Sequence, residues 1–197
     1  MTPDQHRILI IQGHPDSTHS HFCHALADAY GDGARSAGHS VQQMDVGKIS
    51  FPMLRSPDDY YNAPVPESLE PVQEAVRWAN HLVIIFPLWM GTAPALFKGF
   101  LEQVFRPGFA YENKAEGFPE KKLSGRSARI VITMGMPALA YRYYYGAHGL
   151  RNMKRNMLGF IGMSPIRDTL IGGVEAISDD KRKDWLEKIE ALGKAAR

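Results

Sequence analysis

Three short runs of consecutive apolar residues are the feature that most limits what this chain can fold into. They read RILIIQ at 7–12, LVIIFP at 82–87 and ARIVITM at 128–134. An apolar run of four to eight residues, bounded by turn-forming residues, is typical of a strand that is covered on both faces. Weaker patterns predict two further strands, HSVQQMD at 39–45 and SPIRDTLIG at 164–172.

Helical patterns separate these five predicted strands. We expect helices at 20–37, 67–80, 94–105, 150–160 and 178–196. The proline-rich stretch 54–71 is expected to be a long surface loop. Alternating strands and helices predict an α/β fold with a doubly wound parallel sheet and helices on both faces. Ligands bind such sheets beyond the carboxyl ends of the strands, so the loops after strands one, three and four are the candidate site.

Composition narrows the class of protein. A length of 197 residues and a 44% hydrophobic fraction predict a single domain over 1–197. A net charge of +2 argues against a nucleic-acid partner. One cysteine, Cys23, excludes an internal disulfide and a cysteine-based zinc site, and it fits a cytoplasmic protein. We see no targeting segment, and because Pro87, Gly91 and Pro94 interrupt the longest apolar region, we expect no membrane embedding.

The loop after the first strand, GHPDSTHSHFC at 13–23, contains neither a dinucleotide-binding glycine fingerprint nor a Walker A lysine. It does place Ser17, Thr18 and Ser20 beside a predicted helix start. Backbone N–H groups and hydroxyls at that position can bind a phosphate. The alternative is that Ser20 only caps the helix.

Four histidines of this region, His14, His19, His21 and His24, also suggest a metal site. Apart from Asp16, no closely placed acidic group completes a set of ligands. We therefore expect no metal and interpret the imidazoles as neighbours of a phosphate.

The loops after the third and fourth strands are rich in aromatic residues. The third strand runs into PLWMGTAPALFKG at 87–99, where Trp89 either fills core or contacts a ligand. The fourth runs into TMGMPALAYRYYYGAHG at 133–149, where Gly135 permits close backbone approach to a ligand. The four tyrosines that follow could instead form an interface patch.

Together these loops resemble the flavodoxin-like NAD(P)H:quinone oxidoreductase family, in its small bacterial type. The resemblance rests on HPxxxHSHF after the first strand, PLWMGTAPALFKGFLEQVF after the third, PGFAY at 107–111, and TMGMP with Tyr141 and His148 after the fourth. It covers residues 8–149, and it implies a five-stranded parallel sheet of order 2-1-3-4-5.

The resemblance also implies a flavin site. The flavin phosphate and ribityl chain would lie against His14, Ser20, His21, Phe22 and Cys23. The ring would lie against Pro87, Leu88, Trp89 and Met90, with its other edge closed by Thr133, Met134, Gly135 and Met136. Tyr141 and His148 match the tyrosine and histidine that stabilise charge during hydride transfer in larger members. One extra residue separates the two here, so Tyr143 is the alternative to Tyr141.

The implied activity is hydride transfer from NAD(P)H, through the flavin, to a quinone or similar acceptor by a ping-pong mechanism. The chain lacks the long C-terminal extension of FAD-bound members, so FMN is favoured over FAD. A homodimer with the flavin at its interface is also implied. Two alternatives stay open: a flavin-binding ancillary subunit of an ion-efflux system, and an electron carrier like flavodoxin. The sequence leaves the acceptor and the choice between NADH and NADPH open.

Overall fold

The computed structural model describes residues 5–197. Seven strands form two sheets: β1 (Arg7–Gln12), β2 (Ser40–Asp45), β3 (His81–Pro87), β4 (Tyr111–Glu112), β5 (Glu120–Lys121), β6 (Ser127–Met134) and β7 (Ile166–Gly172). The central sheet is parallel with the order β2-β1-β3-β6-β7, and β4 pairs with β5 in a small antiparallel sheet. Counting only the central strands, this is the predicted order 2-1-3-4-5, which confirms the predicted fold class.

Helices cover both faces of the central sheet. They are α1 (Phe22–Ser36), α2 (Pro57–Tyr61), α3 (Glu70–Trp78), α4 (Ala95–Val104), α5 (His148–Arg151) and α6 (Asp179–Lys194). Because successive side chains of a strand point to opposite faces, alternate residues of β1 enter different cores. Ile8 and Ile10 pack with Leu26 of α1, whereas Leu9 and Ile11 pack with Phe97 of α4.

The observed elements differ from the predicted ones in three places. The predicted loop 54–71 contains α2, whose first turn is closed by reciprocal hydrogen bonds between Ser56 and Asp59. The predicted helix 150–160 is instead the short α5 followed by a π-helical segment, Asn152–Leu158, and a second π-helical segment spans Ala140–Tyr144. The β4–β5 pair was not predicted.

The start of α1 corrects the alternative role given to Ser20. The helix begins at Phe22 and its cap residue is His21, so Ser20 does not cap it. The backbone N–H of His21 donates to Nδ1 of His24 at 3.2 Å, so the imidazole of His24 takes the place of the glutamate or glutamine side chain that usually accepts this bond in a capping box. None of the helices within 5–197 is long and apolar enough to cross a membrane.

Candidate functional site

The three candidate loops meet at the carboxyl edge of the central sheet. The N–H of Gly13, after β1, donates to the carbonyl of Ile85 in β3 at 2.7 Å. The N–H of Leu88, after β3, donates to the carbonyl of Thr133 in β6 at 2.7 Å. The sheet register places Pro87 opposite Thr133. Parallel pairing therefore brings the ends of β1, β3 and β6 side by side, as the topology predicts.

The loop after β3 opens with a tight turn whose central residues are left-handed. Met90 has φ 48° and Gly91 has φ 81°. The N–H of Trp89 donates to the carbonyl of Thr92 at 2.9 Å, and the N–H of Thr92 donates back at 3.0 Å. Two positive φ angles between a mutually bonded pair define a type I′ turn. The turn leaves the indole of Trp89 48% exposed and Met90 fully exposed, so Trp89 is not a core-filling residue.

The loop after β1 places imidazoles beside this turn. The ring of His14 stacks on the ring of His21 with centroids 3.8 Å apart. It meets the indole of Trp89 edge to face at 6.0 Å. Burial, together with the neighbouring His21 and His24, lowers the pKa of His14.

Asp16 organises the rest of that loop. Its carboxylate accepts hydrogen bonds from the N–H of Thr18 at 2.8 Å, from the hydroxyl of Thr18 at 2.6 Å and from Nε2 of His21 at 2.7 Å. These donors hold the pKa of Asp16 well below its usual range. The hydroxyl of Ser17 donates to the carbonyl of Gly47 at 3.2 Å. The predicted hydroxyl donors Ser17 and Thr18 are therefore already bonded within the chain, while Ser20 is exposed.

The end of β6 is tied to α1. The hydroxyl of Thr133 lies 3.2 Å from Sγ of Cys23, and both side chains are buried. Burial raises the pKa of the Cys23 thiol to about 11, so the thiol is a packing group at neutral pH. A Cβ on Gly135 would lie 3.0 Å from Oε1 of Glu175. The segment after β7 that contains Glu175 therefore packs close to this loop.

A cavity of about 740 Å³ opens between the β3 turn and the segment after β6. Nine residues line it: Met90, Gly91, Thr92, Met136, Tyr141, Tyr145, His148, Gly149 and Asn152. Sequence analysis placed Met90, Met136, Tyr141 and His148 here. Tyr145 was not assigned from the sequence, but it lines the cavity. Tyr143, the alternative to Tyr141, is not among the lining residues. Tyr143 is 78% exposed.

The hydroxyl of Tyr141 is engaged by the backbone. It donates to the carbonyl of Gly91 at 3.4 Å and accepts from the N–H of Leu150 at 3.1 Å. Its side chain is buried, and burial raises its pKa. Tyr141 therefore joins the β3 turn to α5 across the floor of the cavity.

Comparison with protein families decides which family this is. The model of a family described as having a flavodoxin-like fold matches residues 6–193, nearly the whole chain. The chain belongs to this flavodoxin-like family. The resemblance inferred from the loops is thereby confirmed at the level of the family.

Individual relatives agree with that assignment. An uncharacterized NAD(P)H oxidoreductase of Haemophilus influenzae is 27% identical over 183 residues, which cover 91% of this chain and 90% of the relative. The solved NAD(P)H:quinone oxidoreductase of Methanothermobacter marburgensis superposes with a TM-score of 0.80 at 22% identity, over 96% of each chain. The FMN complex of an FMN-dependent NADH-azoreductase of Bacillus anthracis superposes with a TM-score of 0.70 at 15% identity, over 96% and 99%. At 22% and 15% identity, these two structures show only that this chain shares their fold. All three of these relatives are named as oxidoreductases, which is the class of enzyme that the resemblance implied.

The backbone donors and the apolar walls of this flavodoxin-like chain decide whether a flavin fits the cavity. The ring would need backbone donors, and the N–H groups of Leu88 and Trp89 are already bonded to Thr133 and Thr92. Within residues 5–197, the N–H groups of Gly135 and Met136 have no backbone partner. The apolar walls of the cavity suit an aromatic ring. A flavin therefore fits, with its donors supplied more by the β6 loop than by the β3 end.

Phe22, predicted as a flavin contact, and a group of ion pairs on β7 are absent from the lining of the cavity. Phe22 lies beneath the guanidinium of Arg182, 5.5 Å from the ring centroid, so it packs against α6. Arg142 and Lys154, two basic residues of the segment after β6, each lie 2.7 Å from the carboxylate of Asp168 on β7. These ion pairs hold the segment 140–158 against the sheet.

In the described range 5–197, no group of three or more histidine, cysteine or acidic side chains is arranged to hold a metal.

Proposed function

We propose that this protein is a flavin-dependent NAD(P)H oxidoreductase that binds FMN and reduces a quinone or a similar apolar acceptor. The observation that carries the proposal is the cavity at the carboxyl edge of the sheet, with Met90, Met136 and Tyr145 as apolar and aromatic walls. Such a pocket, at the carboxyl ends of β3 and β6, suits a flat aromatic cofactor and a second flat molecule above it. FMN is the cofactor of the structurally similar Bacillus anthracis azoreductase.

A bound flavin would supply the group that accepts a hydride from NAD(P)H and then passes two electrons to the acceptor. The chain supplies the position and the electrostatics. The N–H groups of Gly135 and Met136, which have no backbone partner within residues 5–197, would stabilise negative charge on a bound ring, and His148, exposed at the cavity, would be a further donor. Tyr141, whose hydroxyl is held by the backbone, keeps the two walls in register.

One cavity serves both substrates in this proposal. The nicotinamide and the acceptor would bind over the same face of the bound ring in turn, because one cavity adjoins the predicted ring contacts Met90 and Met136. Alternating occupancy of this kind gives ping-pong kinetics. Arg151 and Arg155, exposed on the same segment, are candidates for the phosphates of NAD(P)H.

We further propose that two copies of the chain form a cytoplasmic dimer across this face. Leu139, Tyr143 and Tyr144 of the segment after β6 are 70%, 78% and 83% exposed, and Trp89 and Met90 of the β3 turn are exposed as well. A patch of large apolar and aromatic side chains is costly to leave in water and is typical of an interface. The second copy would then cover the open side of the cavity.

The test begins with protein purified without added cofactor. We expect a visible flavin spectrum, FMN as the flavin released on denaturation, and oxidation of NADH or NADPH when a simple quinone is added. Double-reciprocal plots at several quinone concentrations should be parallel. A flavin-loaded protein that oxidises neither nucleotide would instead favour an ancillary subunit, and a stable one-electron reduced state would favour an electron carrier. A protein that binds neither FMN nor FAD would contradict the proposal altogether.

A further inference from the structure

A second, smaller cavity of about 240 Å³ opens where α2, the end of α3 and the turn after α4 meet. Two arginines line it. Arg77 lies in the last turn of α3, just before β3 begins, and Arg106 follows the end of α4. Both therefore lie at the amino edge of the central sheet, at the opposite end from the proposed flavin site. We call this space the arginine cavity.

The guanidinium of Arg106 is buried but only partly hydrogen-bonded. The residue is 5% exposed. Its Nη1 donates to the carbonyls of Ala63 at 3.0 Å and Pro64 at 2.8 Å, and its Nη2 donates to the carbonyl of Asp59. Within residues 5–197, Nε is buried and has no hydrogen-bond partner. Because a buried donor without an acceptor is costly, Nε is a group that a ligand in the cavity can satisfy.

No carboxylate neutralises the two arginines. In the part of the chain that the structure describes, neither Arg77 nor Arg106 forms an ion pair. The carboxylate of Asp59 instead accepts the backbone N–H groups of Arg55 and Ser56. Burial lowers the pKa of Arg106, and the more distant charge of Asp59 opposes this only in part. A buried cation that lacks a paired carboxylate favours the binding of an anion.

Arg77 brings a second guanidinium to the same space. It is exposed, and its Cζ lies 4.9 Å from the centroid of the Phe109 ring, which also lines the cavity. Stacking on a ring orients a guanidinium and leaves its N–H edge free. Guanidinium N–H groups match the spacing of the oxygens of a carboxylate or a phosphate. The cavity therefore offers donors from its buried wall and from its open side.

The volume of the arginine cavity limits the size of the ligand. A cavity of about 150 Å³ is enough for benzene, and sites for drug-sized molecules begin near roughly 300 Å³. At about 240 Å³, this cavity suits one small anion rather than a nucleotide.

We propose that the arginine cavity binds a small oxyanion, a phosphate or a carboxylate, between the guanidinium groups of Arg106 and Arg77. The Nε of Arg106 donates to it from the buried wall, and Arg77 closes the open side. The bound anion joins the segment after α2 to α3 and α4. This site is separate from the flavin cavity, so the inference does not depend on the proposed function.

The experiment follows the Nε–H signal of Arg106 in proton–nitrogen correlation NMR spectra of the protein as purified. Inorganic phosphate or acetate is added, and sodium chloride keeps the ionic strength constant. We expect at least one of the two anions to shift this signal in a saturable way, with a Kd of roughly 1–10 mM. A response to phosphate alone identifies a phosphoryl ligand, and a response to acetate alone identifies a carboxylate. The variant Arg106→Lys, which has no Nε–H group of this kind, assigns the signal.

A second variant tests the other guanidinium. Arg77→Gln should raise the Kd roughly tenfold, because it removes a charged donor. Arg77 is exposed, so this variant should keep the wild-type Tm. The matched control is Arg35→Gln, since Arg35 is an exposed arginine of α1, on the other face of the sheet, and is already paired with Asp32. It should bind the anion as the wild type does.

The outcomes separate this inference from the proposed function. An Arg106 signal that neither anion shifts would overturn the inference and leave the proposed function standing. Saturable binding that Arg77→Gln leaves unchanged would do the same. A protein that binds the anion at Arg106 but takes up no flavin would support the inference while contradicting the proposed function.

Discussion

At the scale of single residues, Tyr141 lines the cavity, but its hydroxyl is bonded to the backbone. Its position after β6 marks it as a charge-stabilising donor by resemblance. The structure gives its hydroxyl two backbone partners, Gly91 and Leu150, across a contact that no sequence pattern specifies. Sequence predicts which residues lie near the cavity, whereas hydrogen-bond partners depend on distances set by packing.

Replacing Tyr141 by phenylalanine tests this role. The change leaves the N–H of the 5% exposed Leu150 without its acceptor, which costs about 1–3 kcal/mol of unfolding free energy. For a chain of this size we expect Tm to fall by roughly 2–10 °C. The kcat of the flavin-loaded protein should change less than tenfold.

The matched control is Tyr145→Phe, since Tyr145 lines the same cavity but is 54% exposed. Its Tm should stay close to that of the wild type. A Tyr141→Phe protein with unchanged Tm and a kcat lowered a hundredfold would return Tyr141 to a direct catalytic role.

At the scale of elements, the strands were the part most readable from sequence. Runs such as ILII in β1 and VII in β3 have no polar residue to place toward solvent, so they belong in a sheet that is covered on both faces. The short elements α2, β4 and β5 were missed because two to five residues are too few to show a repeating hydrophobic pattern. The exception is α2, whose Ser56–Asp59 spacing is a capping signature that could have been recognised.

Helix α5 is positioned by a glycine that touches the β3 turn. A Cβ on Gly149 would lie 2.3 Å from the carbonyl oxygen of Gly91 and 2.9 Å from Cα of Thr92. Both are backbone atoms, so neither can move without displacing the turn. We expect Gly149→Ala to lower the unfolding free energy by about 1–3 kcal/mol and to weaken FMN binding, because it separates the two walls of the cavity.

The control for that change is Gly31→Ala in α1. There a Cβ would meet only the flexible ends of the Arg35 and Gln43 side chains, at 3.1 and 3.4 Å, and alanine favours the helix. Thermal unfolding and FMN titration should leave Gly31→Ala near or above the wild type. If Gly149→Ala binds FMN as tightly as the control does, the contact between α5 and the turn does not shape the cavity.

At the scale of the whole molecule, a buried histidine joins β3 to α1 and to the start of β6, at the opposite end of β3 from the cavity. His81, at the start of β3, is 1% exposed, with Nε2 3.0 Å from the hydroxyl of Tyr30 and Nδ1 2.7 Å from the hydroxyl of Ser127. Burial, with a smaller contribution from nearby His6 and Arg129, lowers the pKa of His81 to about 3.

This pKa predicts how stability depends on pH. The folded protein holds His81 neutral, whereas the unfolded chain takes up a proton near pH 6.5. The stabilisation is therefore fully present above pH 6.5 and is lost as pH falls from there toward 3, by up to about 1.4 kcal/mol per pH unit. Urea unfolding at pH 7, 6 and 5 should show this loss, and His81→Gln should show a shallower one. An equal slope in the two proteins would assign the acid sensitivity to other groups.

The central claim is that the carboxyl edge of this sheet holds a flavin that exchanges hydride with a nicotinamide. The most direct measurement mixes flavin-loaded protein with NADH or NADPH under anaerobic conditions and follows the visible absorption of the flavin. We predict that at least one nucleotide bleaches it completely, and that a quinone added afterwards, without further nucleotide, restores it. Flavin absorption that neither nucleotide changes would contradict the account.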